Sequence, residues 1–271
     1  MNSLIKLLFA GVILLLSILT GCKKDNDPDP DPSNTEGLVY VGQAYTTQGS
    51  MLVKVYAADS LYCAYNNLFI EVRDSASNEV ISNAEITLLP QMEMMGHAAP
   101  FENPSSTAAV NGLFPCAVVF QMPGDMGWTL DVTAKDLATN NEGTARIDFA
   151  VMSPTLARTQ VVTALNDGSK LVISYLQPIE PKVGMNDFEI TLHWKESMMS
   201  FPPVENYTVE IEPEMPSMGH GSPNNVNPVH TGNGHYKGQV NFTMTGEWNI
   251  NLRIMEGSEA VDTTSYFVVT F

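Results

Sequence analysis

An internal repeat is the feature of this sequence that most constrains its fold. The pattern Met-x-x-Met-Gly-His occurs twice, at residues 92–97 and 215–220. Each copy is followed by Asn-Gly-x-aromatic, then by Phe-x-Met, and then by a Gly and a Trp. Upstream of the pattern, residues 66–70 align with residues 186–190. Because order and spacing are kept with only small changes in length, the sequence predicts two copies of one domain.

Each copy consists of short runs rich in Val, Ile, Thr, Tyr and Phe, separated by Gly, Asn, Asp and Pro, a composition that predicts β-strands. The expected strands are 38–45, 51–57, 67–72, 84–89, 113–122, 128–134 and 143–151 in the first copy, and 159–165, 170–176, 187–195, 207–212, 235–244, 248–254 and 263–270 in the second. About seven strands in roughly a hundred residues is typical of an immunoglobulin-like sandwich. The predicted fold is therefore all-β, with tandem immunoglobulin-like β-sandwiches at 38–153 and 154–271, and we expect Trp128 and Trp248 in their cores.

The N-terminus has the pattern of an export signal. A basic residue precedes the apolar run 7–19, and Leu-Thr-Gly-Cys ends at Cys22. We interpret residues 1–21 as a lipoprotein signal peptide and Cys22 as the lipidated first residue of the mature chain. The Asp/Pro-rich segment 22–37 is expected to be an extended, disordered tether. The predicted location is the outer membrane, with the cell surface and the periplasmic face both left open.

The charge of the chain argues against one class of partner. The sequence has 13 Lys and Arg against 30 Asp and Glu, a formal net charge of −17. Such a surface repels phosphate backbones, so no nucleic-acid partner is expected. The sequence also lacks a nucleophile elbow, a glycine-rich phosphate loop and a His-Glu-x-x-His motif. We therefore expect a protein that is not an enzyme.

Two cysteines remain after Cys22. In an exported protein, an even pair predicts a disulfide, here between Cys63 and Cys116, which would tie two strands of the first copy. The aligned positions in the second copy are Val183 and Gly238. The alternative of two thiolate ligands for a soft metal stays open.

The succession strand, Met-x-x-Met-Gly-His, polar loop, Gly-x-Tyr, strand, Met-x-Gly-x-Trp resembles the YtkA-like domain of bacterial exported and membrane-anchored proteins. Residues 215–248 carry the closer resemblance, and the first copy follows the pattern more loosely. The resemblance implies an immunoglobulin-like sandwich. It also implies proximity to copper-handling and cytochrome-oxidase-assembly proteins, without assigning an activity.

Thioether sulfur and imidazole nitrogen are the donors that suit Cu(I). The candidate ligands share such a donor and a place in or near the two Met/His stretches: Met215, Met218, His220, His230 and His235 in the second copy, and Met92, Met95 and His97 in the first. In the alternative interpretation, the methionines fill the core and the histidines hydrogen-bond the loops.

The directions of the predicted strands indicate which of the other Met and His residues lie near the second Met/His loop. If the strand 207–212 runs up to the second Met/His loop, the strand 235–244 starts at the same end and runs down, so His230 and His235 are expected near the loop. Met244, nine residues further at about 3.3 Å per residue, would then lie roughly 30 Å away. The turn that carries Met198 and Met199 is expected at that opposite end too.

The sequence as a whole favours a lipid-anchored, extracytoplasmic carrier, buffer or chaperone of Cu(I) that exchanges copper with a donor or acceptor protein. Two alternatives remain. One is a surface or periplasmic module that binds a protein or a glycan without metal, and the other is an assembly factor that docks on a membrane complex.

Overall fold

The computed structural model describes residues 33–271, except for the side chains of Asp125 and Met126. The predicted signal peptide, the lipidated Cys22 and most of the predicted tether lie outside this range. The described residues include no helix long and apolar enough to cross a membrane.

The first sandwich is built from nine strands and one 3₁₀ turn at Glu93–Met95. Its strands are β1 (Val39–Tyr45), β2 (Met51–Ala57), β3 (Tyr65–Asp74), β4 (Ala84–Met92), β5 (His97–Ala98), β6 (Phe101–Glu102), β7 (Phe114–Val119), β8 (Gly124–Asp136) and β9 (Glu142–Val151).

The second sandwich is built from ten strands. They are β10 (Thr159–Thr163), β11 (Lys170–Gln177), β12 (Gly184–Trp194), β13 (Thr208–Met215), β14 (His220–Gly221), β15 (Val226–Gly232), β16 (His235–Phe242), β17 (Glu247–Glu256), β18 (Glu259–Asp262) and β19 (Tyr266–Thr270).

The two sandwiches share one topology. The sheet β1-β2-β3-β7-β6 corresponds strand for strand to β10-β11-β12-β16-β15. The facing sheet β5-β4-β8-β9 corresponds to β14-β13-β17, with β18 and β19 both paired to β17. The prediction of an all-β fold with two immunoglobulin-like sandwiches is confirmed.

Each core forms because strand side chains alternate between the two faces. In β13 every second residue from Val209 to Met215 is buried and the residues between them are exposed. Trp128 and Trp248 are fully buried in the two cores, as predicted.

The predicted polar loop of the second copy is instead largely a strand. β15 pairs antiparallel with β16, with Val226 opposite Gln239 and His230 opposite Tyr236. A glycine makes this pairing possible, because a Cβ at Gly238 would lie 2.4 Å from the carbonyl oxygen of Val226. The segment thus carries the chain from one end of the sandwich to the other.

The described sandwiches belong to one compact unit and touch each other. The backbone N–H of Ala98 in the first donates to the carbonyl oxygen of Met198 in the second, at 2.8 Å. Side chains on the outer face of β11 and β12, including Val172, Thr191 and His193, are buried although they point away from their own core. This face is therefore covered by the first sandwich.

The predicted disulfide is not formed in the structure: Cys63 and Cys116 are free thiols. Cys116 lies opposite Leu68 in the sheet and its Sγ is 3.5 Å from the Leu68 carbonyl oxygen. Cys63 precedes β3, and its N–H donates to the Met152 carbonyl oxygen at 2.8 Å. The two residues are thus held by different partners. Burial raises the pKa of both thiols.

Candidate functional site

The Met-x-x-Met-Gly-His pattern encodes a tight turn at the end of each sandwich. The first methionine and the histidine pair across the turn, Met92 with His97 and Met215 with His220. The glycine before each histidine has a positive φ, 65° at Gly96 and 62° at Gly219, a conformation that glycine adopts without steric cost. The turn therefore sets the spacing between the methionines and the histidine.

The first methionine of each pattern belongs to the core. Met92 is 7% exposed and Met215 is 2% exposed. Both lie against a glycine before the core tryptophan, and a Cβ at Gly246 would be 3.0 Å from the Met215 Cε. Alternation along β4 and β13 points both side chains inward, which favours the alternative interpretation of core packing, and the role of Met92 and Met215 as metal ligands stays a prediction.

The second methionine of each pattern is exposed. Met95 is 56% exposed and Met218 is 60% exposed. Met95 borders the same cavity as His97. These two methionines remain accessible soft donors at the ends of the sandwiches.

Each histidine lies against the core tryptophan. The ring centroids are 5.3 Å apart for His97 and Trp128, and 5.7 Å apart for His220 and Trp248, with the rings edge to face in both pairs. Each imidazole Nδ1 is 3.0 Å from the carbonyl oxygen of the next residue, Ala98 or Gly221. A carbonyl oxygen only accepts, so Nδ1 carries the proton in the neutral ring and Nε2 keeps a free lone pair.

A third methionine, absent from the predicted ligand set, completes the arrangement. The His97 Nε2 is 3.1 Å from the Met122 Sδ. In the second sandwich the backbone of Met244 holds the corresponding position. Trp128 Nε1–H donates to the Met122 carbonyl oxygen and Trp248 Nε1–H to that of Met244, both at 3.1 Å. The Phe-x-Met and Gly-Trp elements of the repeat were the sequence signal for this group.

We call His97, Met122 and Met95 the first Met/His end, and His220, Met244 and Met218 the second Met/His end. Tryptophan thus links the histidine to a methionine far along the chain in both sandwiches. Among residues 33–271, no group of three or more His, Cys, Asp or Glu is placed to hold a metal ion. Any metal held at the Met/His ends would therefore depend on thioether sulfur.

The predicted positions of His230, His235 and Met244 are wrong. β17 starts beside the end of β13, with Asn249 opposite Glu214, and β16 leads directly into β17. β16 must therefore end, and not begin, near the Met/His turn. Met244 lies at that turn, while His230 and His235 lie at the opposite end, because β15 has carried the chain across.

His235 is not free to bind a metal. Its Nδ1 is 2.6 Å from Glu189 Oε1, and its Nε2 is 2.8 Å from Glu102 Oε1 of the first sandwich. Burial lowers its pKa, but the hydrogen bonds and charges of Glu102 and Glu189 outweigh burial and raise the pKa to about 9. His235 is therefore a cation at neutral pH that joins the two sandwiches.

The other two histidines of the second sandwich are packing residues. His230 lies against the Tyr236 ring, with centroids 5.4 Å apart. His193 is buried on the outer face of β12, where burial lowers its pKa to about 4. His193 is therefore neutral at neutral pH.

Residues 167–253 match the model of the YtkA-like family. This range contains β11 through most of β17 and all of the second Met/His end. A search of curated protein sequences gives no significant match.

Among solved structures, the chain is similar to FdeC, an Escherichia coli adhesin, at 16% identity and a TM-score of 0.27, covering 81% of this chain and 64% of that one. The chain thus spans less than two thirds of the FdeC chain. It is also similar to the D00-D0 domain of intimin at 10% identity and a TM-score of 0.25, covering 81% of this chain and all of that one. Likenesses this distant add nothing to the fold already described.

Proposed function

We propose that this protein is a non-enzymatic, extracytoplasmic carrier or buffer of a soft metal ion, Cu(I), bound at the two Met/His ends. The lipidated Cys22 would anchor it to the outer membrane, and a copper donor or acceptor protein would be its partner. The proposal keeps the metal expected from the sequence and changes the ligands: Met122 and Met244 replace Met215, Met92, His230 and His235.

The contact between His97 and Met122 is the observation that carries the proposal. In the neutral tautomer whose Nδ1–H donates to the Ala98 carbonyl, the lone pair of His97 Nε2 faces the Met122 sulfur at 3.1 Å. Two electron-rich atoms at this distance repel unless a cation or a proton lies between them. A soft cation satisfies both donors together.

The spacing of the donors is close to that around an ion. Metal–nitrogen and metal–sulfur bonds of about 2.0 and 2.3 Å at a tetrahedral angle separate two donors of one ion by roughly 3.5 Å. His97 Nε2 and Met122 Sδ lie 3.1 Å apart, so the two side chains would have to move apart slightly to hold an ion between them. Met95, which borders the same cavity, can supply a third donor, and the tryptophan fixes the plane of the imidazole.

An anaerobic competition titration of the full chain with Cu(I) against a colorimetric chelator tests the proposal. We expect two equivalents for the natural protein. The pair His97→Gln/Met122→Leu should remove one equivalent, and His220→Gln/Met244→Leu should remove the other. Leu keeps the volume of Met and removes only the sulfur, so the fold should survive, as circular dichroism can verify.

The matched control is Met92→Leu, which removes a sulfur of the same pattern from a buried position. Because Met92 is a core residue, this change should leave both equivalents in place. Uptake by the natural protein no greater than that of the variant lacking both ends would overturn the proposal.

A second candidate is a module that binds a protein or a glycan, and a cleft between the sandwiches favours it. The cleft has a volume of about 420 Å³ and is bordered by Tyr62, Tyr65 and Tyr175. The guanidinium of Arg158 lies 4.7 Å from the centroid of the Tyr175 ring. Aromatic rings beside a cation suit a polar partner, and loss of partner binding in Arg158→Gln, with Cu(I) uptake unchanged, would support this candidate.

A further inference from the structure

The first Met/His end is covered by the second sandwich. Ala98, the residue after the candidate ligand His97, donates its N–H to the Met198 carbonyl oxygen at 2.8 Å. Met198 lies in the turn that follows β12. The histidine of the first end is therefore one residue away from an interdomain hydrogen bond.

Both sandwiches border the cavity into which this end opens. The cavity measures about 280 Å³. Met95, His97, Gln121 and Met122 border it from the first sandwich, and Val161, Val172, Lys195 and Phe201 from the second. Three of the four residues from the second sandwich are apolar, and they border the cavity beside His97 and Met122, which are both partly buried, while Met95 stays exposed.

The second Met/His end has no such cover within the described part of the chain. Met218 is 60% exposed and Met244 is 37% exposed. The same packing of His on Trp, with Trp bonded to a methionine carbonyl, is thus present once between the sandwiches and once at a free surface.

An ion pair also holds the two sandwiches together, and we call the contact between them the junction. The Glu102 carboxylate, five residues after His97, accepts from His235 Nε2–H at 2.8 Å. Tyr65 of the first sandwich packs edge-on against the same imidazole, with centroids 5.5 Å apart. Breaking this pair should weaken the docking of the sandwiches without touching a candidate ligand.

Resting on the proposed function, we propose that the first Met/His end is a two-domain site, in which Cu(I) leaves only when the second sandwich separates from the first. Binding and docking are then linked, so an ion at His97 and Met122 strengthens docking and docking retains the ion. The second end exchanges its ion without any such step.

Two background variants isolate the sites for the test. His220→Gln/Met244→Leu leaves only the first site, and His97→Gln/Met122→Leu leaves only the second. Glu102→Gln is added to each, and the rate of Cu(I) transfer from the full chain to an excess of chelator is measured. We expect transfer from the first site to become faster by about tenfold, as when one partner of a buried ion pair is removed, and transfer from the second to change less than twofold.

The matched control is Glu210→Gln, which removes a carboxylate paired with Arg253 inside the second sandwich at 3.7 Å. It should alter neither rate. His235→Gln breaks the junction from the other side and should reproduce the effect of Glu102→Gln. Hydrogen exchange at the Ala98 amide reports docking directly and should become faster in both junction variants.

The outcomes separate the two proposals. If neither background variant takes up Cu(I), the proposed function fails and this inference fails with it. If both take up Cu(I) but Glu102→Gln affects the two rates equally or not at all, only the two-domain site is overturned. An Ala98 amide that stays equally protected in both junction variants would also overturn it, because the pair would then not hold the junction.

Discussion

The two Met/His ends show what a duplicated domain keeps and what its surroundings change. Both have an inward methionine, a glycine with positive φ, and a histidine against a buried tryptophan. They differ in what lies outside: His97 and Met122 of the first border a cavity shared with the second sandwich, whereas Met244, the counterpart of Met122, is exposed. Local structure was thus copied with the sequence, while solvent access was set by the position of each copy in the chain.

The largest expected effect is a loss of stability, and it tests whether the first methionine of the pattern plays the same part in both cores. Met92→Ala and Met215→Ala each remove a buried side chain that packs beside a core tryptophan. Each should lower the free energy of unfolding by about 2–5 kcal/mol. Urea denaturation followed by tryptophan fluorescence measures the loss.

Met95→Ala and Met218→Ala serve as controls for those two changes. Their side chains are exposed, so each should change the free energy of unfolding by less than about 0.5 kcal/mol. A Met215→Ala protein as stable as Met218→Ala would contradict the division of each pattern into one core methionine and one surface methionine.

The next effect is a pH dependence of the contact between the sandwiches, which concerns the first Met/His end and not the second. Burial alone would lower the pKa of His235, but Glu102 and Glu189 raise it from 6.5 to about 9. Its stabilising contribution is therefore complete below pH 6.5 and is lost as the pH rises through 9. Burial lowers the pKa of His193 from 6.5 to about 4, so its contribution is complete above pH 6.5 and is lost as the pH falls toward 4.

The second sandwich should therefore dock most tightly over the first Met/His end near neutral pH, and less tightly at more acid and at more alkaline pH. Protection of the Ala98 amide, corrected for the intrinsic pH dependence of exchange, should pass through a maximum. His235→Gln should remove the alkaline decline and leave the acid decline. An alkaline decline that persists in His235→Gln would show that another group governs the junction.

The smallest effect concerns the charge at the first cavity. Lys195 borders this cavity, and its ammonium group disfavours a bound cation. Lys195→Leu, which removes the charge without adding a sulfur, should tighten Cu(I) binding at the first site by about two- to fivefold, since charges near a protein surface interact weakly. The second site provides the internal control, and equal tightening at both sites would contradict this placement of the charge.

The sequence predicted the sandwiches because alternation and repeat spacing are local signals. β2, for example, runs from Met51 to Ala57, the range expected from its pattern alone. The histidine and the exposed methionine of each turn were also predicted as candidates, because the Gly-His step marks the turn directly. Cys63 and Cys116 were wrongly paired, since an even count says nothing of where each thiol points.

The directions of the later strands could not be predicted while residues 226–232 were interpreted as a loop. Asn227 and Pro228 make this segment resemble a loop, although it pairs with β16. The available signal was Gly238, a glycine in a strand that leaves room for the neighbouring backbone. The contact between the sandwiches could not be predicted from the sequence. The residues that meet there, such as Ala98 and Met198, are about a hundred positions apart, so no local sequence pattern marks them.

The contrast in exposure within each Met-x-x-Met-Gly-His turn also has an oxidative consequence. Oxidants convert accessible methionine to the sulfoxide, which replaces a soft thioether by a polar group. Met218, 60% exposed, would be reached long before Met215, which is 2% exposed. Oxidative damage would thus remove the exposed donors Met95 and Met218 first, while the core sulfurs that support the fold stayed reduced, and the protein would lose cargo capacity before it lost structure.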